Sequence, residues 1–222
     1  MIDSKAILGK FMGEFSDLER RTETLTINLV LNRYLAKDTW GFKAGRRLTP
    51  EDIGRLAASG ILTAEVFDKP QIGIISVGDE LVSIVEKESP GKIRDSNSFL
   101  LGALLEELGC VRGSTYLIRD DVEILKNSLM DAIQKNDAIV FTKRSSEEGF
   151  LGAKEAVNFL GLPGVVEEDS AKGIIAGIIY DLNCACCTRK TPVFMIPGEE
   201  NELLRSFNDL VKPAVLACYL SK

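Results

Sequence analysis

Leu100, Leu101, Leu104, Leu105 and Leu108 recur at the spacing that lines one face of a helix with apolar side chains. Asp95-Ser96-Asn97-Ser98 stands directly before that stripe, and each of these four residues can cap a helix. One cap is enough, so the remaining polar residues call for a second purpose. Toward the N-terminus, residues 2–15 and 25–36 read as two helices. The second opens on Thr24, Thr26, Ile27 and Val30, β-branched residues that leave a strand start open. Thr49-Pro50-Glu51-Asp52 predicts a helix start with a cap, a first-turn proline and acids at the positive helix end. Gly60 ends that helix, and residues 61–67 follow as a short strand.

From Gln71 the pattern alternates between strand and helix. "IGIISV" is a continuous apolar strand, as expected when both faces of a sheet are covered. The helix from Asn97, the strand "STYLI", the helix "DDVEILKNSLMDAIQ", the strand "DAIVF" and the helix "EGFLGAKEAVNFLG" come next. "GIIAGIIYDL" and "TPVFMI" read as two strands around a loop. A helix from Asn201, with Pro213 as a candidate kink, closes the chain. This order predicts an α/β fold, with a doubly wound, mostly parallel sheet over 70–222 and a small helical and strand region over 1–69. Lys69-Pro70 is the expected linker. Sheets of this kind take ligands at the carboxyl ends of their strands. Polar clusters fall at those ends: Gly78-Asp79-Glu80, Arg94 to Asn97, Arg119-Asp120-Asp121, Thr142 to Ser146, and Pro197 to Asn201.

Composition narrows the function. The net charge is −6 over 222 residues, which argues against a surface built for nucleic acid. No apolar run approaches a membrane span, and the opening residues carry acids and lack the apolar centre of a signal peptide. Five cysteines without an export signal predict reduced thiols in a cytoplasm. The chain has no histidine, so the commonest general base and zinc ligand are missing.

The order "IGIISVGDELV", "PGKIRDSNSFLLGALLEELGC" and "IRDD" resembles the molybdopterin-binding domain of the molybdopterin molybdotransferases. "FKAGRRLTPEDIGRLAASGI" resembles the segment leading into that domain. The resemblance implies a molybdenum-cofactor biosynthesis protein binding molybdopterin or its adenylylated form, with molybdate and magnesium as further ligands. It implies that Asp95, Ser96 and Asn97 cap the helix and also face ligand. Asp79 and Glu80 would line the same pocket. Asp79, Glu80 and Asp95 would be the catalytic carboxylates, with magnesium on Asp79 or Asp95. The wider ligand set would be Asp120, Thr142, Lys143, Arg144, Ser146, Lys172, Pro197 and Gly198. It also implies a homodimer, in which the apolar first helix contributes to the contact.

The departures from that family matter as much. Its members are about twice as long, so a partner chain of the same pathway could supply the missing part. Where the family has a glycine loop that holds phosphate by its backbone, this chain reads Thr142-Lys143-Arg144. The family's Pro-Gly-Asn-Pro becomes Pro197-Gly198-Glu199-Glu200. Its Pro-Gly-Lys-Pro becomes "SAKG", keeping only Lys172. Two readings of Lys143 and Arg144 compete. They grip phosphate, or they pair with Glu199, Glu200 or Asp95 and seal a dead pocket. The expected function is therefore a molybdopterin-binding-like protein with molybdate insertion reduced or lost. The alternatives are an active enzyme completed by a partner, or an interaction protein with a closed pocket. Cys184, Cys186 and Cys187 are either free thiols or an incomplete metal set, and Cys110 and Cys218 read as core residues.

Overall fold

The computed structural model describes residues 20–87, 89–143, 147–161, 164–181 and 189–220, together with Leu8, Gly9, Phe11 and Gly13. In the first part of the chain β1 (Thr22–Thr26) pairs antiparallel with β2 (Thr63–Phe67), and α1 (Pro50–Ala58) lies between them in sequence. Val30, Leu35, Phe42, Leu48, Leu56, Ala64 and Val66 form a small core of their own. At the head of α1, Thr49 and Asp52 make the reciprocal capping box, and Asp52 also takes two hydrogen bonds from the Arg46 guanidinium.

Residues 25–36 are not the helix their apolar spacing suggests. β1 ends at Thr26, a 3-10 turn covers Ile27–Leu29, and Asn32 takes φ +62. The β-branched run favours extended backbone, and asparagine tolerates the left-handed region that breaks a helix. Of the first predicted helix, Leu8, Phe11 and part of its backbone are described. Phe11 is fully buried, with its ring 5.1 Å from that of Phe194. At least that part of the apolar surface expected to serve a dimer packs into the chain's own core.

The remainder runs β3 (Gln71–Val77), the two-residue strands β4 (Leu81–Val82) and β5 (Ile93–Arg94), α2 (Asn97–Leu108), β6 (Val111–Ile118), α3 (Val122–Lys135), β7 (Ala138–Lys143), α4 (Glu147–Leu160), β8 (Gly164–Asp169), β9 (Ile174–Asp181), β10 (Arg189–Pro197) and α5 (Glu200–Ser206). Six strands make one sheet in the order β6-β3-β7-β10-β9-β8. The first four are parallel, and β9 and β8 add antiparallel to that edge. Alternate side chains go to opposite faces. Ala138 and Val140 pack under α2 and the C-terminal helix, whereas Ile139 and Phe141 pack under α3 and α4. This is the doubly wound sheet that the alternation predicts.

β8 escapes the sequence pattern because Glu167, Glu168 and Asp169 follow its two valines. An edge strand tolerates those charges, and they discourage further strand pairing. After α5 the last helix continues through a π stretch at Phe207–Val211, an α turn at Lys212–Val215 and a second π stretch at Leu216–Leu220. Pro213 has no N–H for the carbonyl four residues back, so the helix widens there. Cys110 and Cys218 are buried in the core, where desolvation pushes both thiols up to about 12.

Phe141→Ala, at a fully buried position in the central strand β7, is expected to cost about 3–5 kcal/mol in denaturant unfolding. The hydrogen bond from Arg46 holds the Asp52 carboxyl below the ordinary aspartate range. That stabilisation is present above an unfolded value of about 3.9 and is lost as pH falls below it. Asp52→Asn should therefore lower stability at neutral pH and flatten the acid limb of a stability–pH curve.

Candidate functional site

The carboxyl ends of β3, β7 and β10 lie level, with Val77 opposite Lys143 and Lys143 opposite Pro197. The helix α2 is anchored to this rim by Asp95. Its Oδ1 accepts from the backbone N–H of Ser98 at 3.1 Å and from the Ser76 hydroxyl at 3.0 Å, and the residue is 5 % exposed. Asp95 is thus the functional cap, although Ser96 stands next to the helix and makes no side-chain capping bond. The Asn97 amide reaches the other way and donates to the Gly198 carbonyl at 2.8 Å. The four-residue polar run divides its work: Asp95 holds the helix, and Asn97 ties it to the loop after β10.

Gly78 opens the segment that crosses the top of β3. Its N–H donates to the Ile118 carbonyl, and a Cβ there would stand 2.7 Å from Glu80 Oε2. A side chain there would displace the Glu80 carboxylate, which folds back against the backbone. Ile93 then donates to the Glu80 carbonyl, and the Lys92 ammonium donates to the Asp79 carbonyl at 2.6 Å. The short strands β4 and β5 thereby form a parallel flap beside the rim.

A circuit of contacts crosses the strand ends. Asp79 Oδ1 accepts from the Asp120 N–H at 3.4 Å, and the Asp120 carboxylate takes the Lys143 ammonium. The Lys143 carbonyl accepts from the Gly198 N–H, and the Gly198 carbonyl accepts from Asn97. Lys143 is 4 % exposed. Its ion pair goes to Asp120 and not to Glu199, Glu200 or Asp95, which corrects the pairing anticipated for Lys143, while that of Arg144 lies outside the described residues. Asp121, next in the chain, caps α3 through the Ile124 N–H.

These contacts enclose a pocket of about 140 Å³, with Val77, Leu81 and Ile93 as its apolar wall and Asn97, Thr142, Lys143, Gly198, Glu80 and Glu199 as its polar wall. An open shelf of about 590 Å³ adjoins it at Ile93 and carries Lys92 and Arg94. The sequence reading missed Ser76, Leu81, Lys92 and Ile93. Lys92 sits inside the "PGKIRDSN" run and was the one recoverable from sequence.

Asp79, Glu80, Asp95, Asn97, Asp120, Thr142, Lys143 and Gly198 therefore gather at one end of the sheet. Pro197 ends β10 at the same level, and Ser96 precedes α2. The register also puts the β8–β9 turn at this end, but its Lys172 pairs with Asp169 and does not line the pocket. Arg144, Ser146, Cys184, Cys186 and Cys187 lie outside the described residues. Among the described residues no three carboxylates or thiols converge as metal ligands. Asp79 Oδ1 holds an N–H, and Asp95 Oδ1 holds a helix end. No described helix is long and apolar enough to cross a membrane.

Residues 73–142 match the family described as "Probable molybdopterin binding domain". A "Putative molybdopterin biosynthesis protein" of Methanocaldococcus jannaschii is 30 % identical over 205 residues, covering 86 % of this chain and 49 % of its own. A molybdopterin molybdenumtransferase of Staphylococcus aureus is 31 % identical over 176 residues, covering 78 % and 40 %. The chain thus spans half or less of the length of these curated relatives. The molybdopterin biosynthesis MoeA protein of Pyrococcus horikoshii shares the fold, with a TM-score of 0.77 at 18 % identity over 98 % of this chain and 80 % of that one.

Asp95→Ala is expected to lose about 2–4 kcal/mol, from the missing cap and the orphaned, fully buried Ser76 hydroxyl. Asp95→Asn keeps an acceptor oxygen and should lose less. Equal losses in urea unfolding would mean that the charge, and not the capping geometry, matters.

Proposed function

Because the chain belongs to the molybdenum-cofactor biosynthesis proteins that carry the molybdopterin-binding domain, we propose that it binds a molybdopterin-type ligand while molybdate insertion is reduced or lost. The observation that carries this reading is the Lys143–Asp120 pair. A phosphate cradle needs backbone N–H groups that can be approached closely, or a cation with charge to spare. Lys143 is buried and its charge is already engaged by a carboxylate. The small pocket behind it is walled in part by Glu80 and Glu199. The neighbouring shelf is an open groove that carries Lys92 and Arg94.

On this reading the anionic part of the ligand rests on the shelf, with Asn97, Thr142 and Gly198 at its inner edge. Asp79 and Glu80 are the carboxylates nearest the ligand, and Asp95 acts by positioning Asn97. Arg144 and Ser146 belong to the proposed ligand set. Ser96, Pro197 and Lys172 contribute from the rest of the rim. No step is assigned to magnesium. The proposal further takes residues 1–69 and 70–222 as separate regions of a cytoplasmic homodimer, which a partner chain of the pathway would complete if molybdate is still inserted.

Calorimetric titration with molybdopterin tests the reading. The unaltered chain should bind weakly, and Lys143→Gly/Arg144→Gly should bind at least about tenfold more tightly, a difference of about 1.4 kcal/mol. Tight binding by the unaltered chain that the double change abolishes would establish the phosphate-gripping reading instead. Absence of binding in both proteins would leave an interaction protein with a closed pocket.

A further inference from the structure

A second concavity lies at the far end of α2. Twelve helical residues separate it from the rim, a distance of about 18 Å. It measures about 220 Å³ and is enclosed by the end of α2, the bridge between Tyr34 and Arg47, and the C-terminal helix. Leu104, Phe207 and Leu216 give it an apolar floor. Phe207 and Leu216 belong to the two π stretches, and such bulges in helices frequently mark functional sites.

Among the described residues its polar groups have no carboxylate partners. Tyr34 is 8 % exposed, and its hydroxyl makes no hydrogen bond among the described residues. Tyr34 lines the concavity, and its hydroxyl is available to donate to an occupant. Arg47 donates to the backbone carbonyl of Glu107 at 2.8 Å, which leaves its charge uncompensated. Lys212 forms no ion pair among the described residues. Among the described residues Glu107 is the only carboxylate on the wall, and against Arg47 and Lys212 it leaves one net positive charge.

We propose that this pocket binds a small monocarboxylate with an apolar body, its carboxylate held by Tyr34, Arg47 and Lys212 and its body packed on Leu104, Phe207 and Leu216. The volume falls below the roughly 300–1,000 Å³ of drug-sized sites, which restricts the occupant to a small molecule. A single carboxylate balances the single net charge. Burial raises the Tyr34 hydroxyl above its ordinary range, so it remains a donor at neutral pH.

Ligand-observed NMR on the full chain, with benzoate, phenylacetate and 4-methylpentanoate as probes, tests the proposal. At least one carboxylate should saturate at millimolar concentration or below, and neutral benzyl alcohol should not. Tyr34→Phe and Lys212→Met should each weaken binding about tenfold, and Lys143→Gly/Arg144→Gly at the rim should leave it unchanged. Lys212 is exposed, so its replacement keeps the test decisive even if the Tyr34 variant folds poorly. No saturation by any of the three acids, equal affinity in the unaltered chain and the Lys212 variant, or equal binding of benzyl alcohol would overturn it.

Discussion

The rim depends on one buried carboxylate. Asp95 meets a strand hydroxyl and a helix N–H with the same oxygen, so the end of β3 and the start of α2 are fixed to each other at a single atom. Asn97 follows two residues later and inherits that placement, which lets its amide find the Gly198 carbonyl. A helix N-terminus offers free N–H groups and positive potential, which the aspartate charge answers. The acid most suggestive of catalysis in the sequence is therefore first a structural bolt.

Lys143 changes what the rim can do. β7 is separated from β6 by β3, yet the ammonium reaches Asp120 across the end of β3. Val77 is level with both Lys143 and Ile118, and the next residue, Gly78, has no side chain in the way. Where a glycine loop would leave backbone open to an anion, a lysine stem fills space and an aspartate neutralises it.

The parallel core was legible because strands buried on both faces must be apolar throughout, as "IGIISV" and "DAIVF" are. The segment after β1 was not, because its apolar residues serve a small irregular core whose contacts come from Phe42, Leu48 and Leu56, later in the chain. Asp95 was legible as a cap, but Ser76 was hidden within an apolar strand. The partner of Lys143 was missed for a topological reason: facing loops were inferred from sequence order, and the reach across β3 depends on strand order. The pocket under Tyr34 left no signal, since π turns and an unpartnered hydroxyl are properties of packing.

The strand order also dictates how the molecule must be assembled. β10 is central, bonded to β7 on one side and β9 on the other, yet it is the last strand to leave the ribosome. Until it emerges, a nascent chain can build the β6-β3-β7 leaf, but β7 stays bare along an edge that the finished sheet buries throughout. Closing that gap requires a contact between segments some fifty residues apart, with the β9–β10 pair sliding in beside a leaf already formed. The acids on β8 guard the outer border of the finished sheet. During synthesis the vulnerable border is an inner one, and it is exposed for as long as translation of that interval takes.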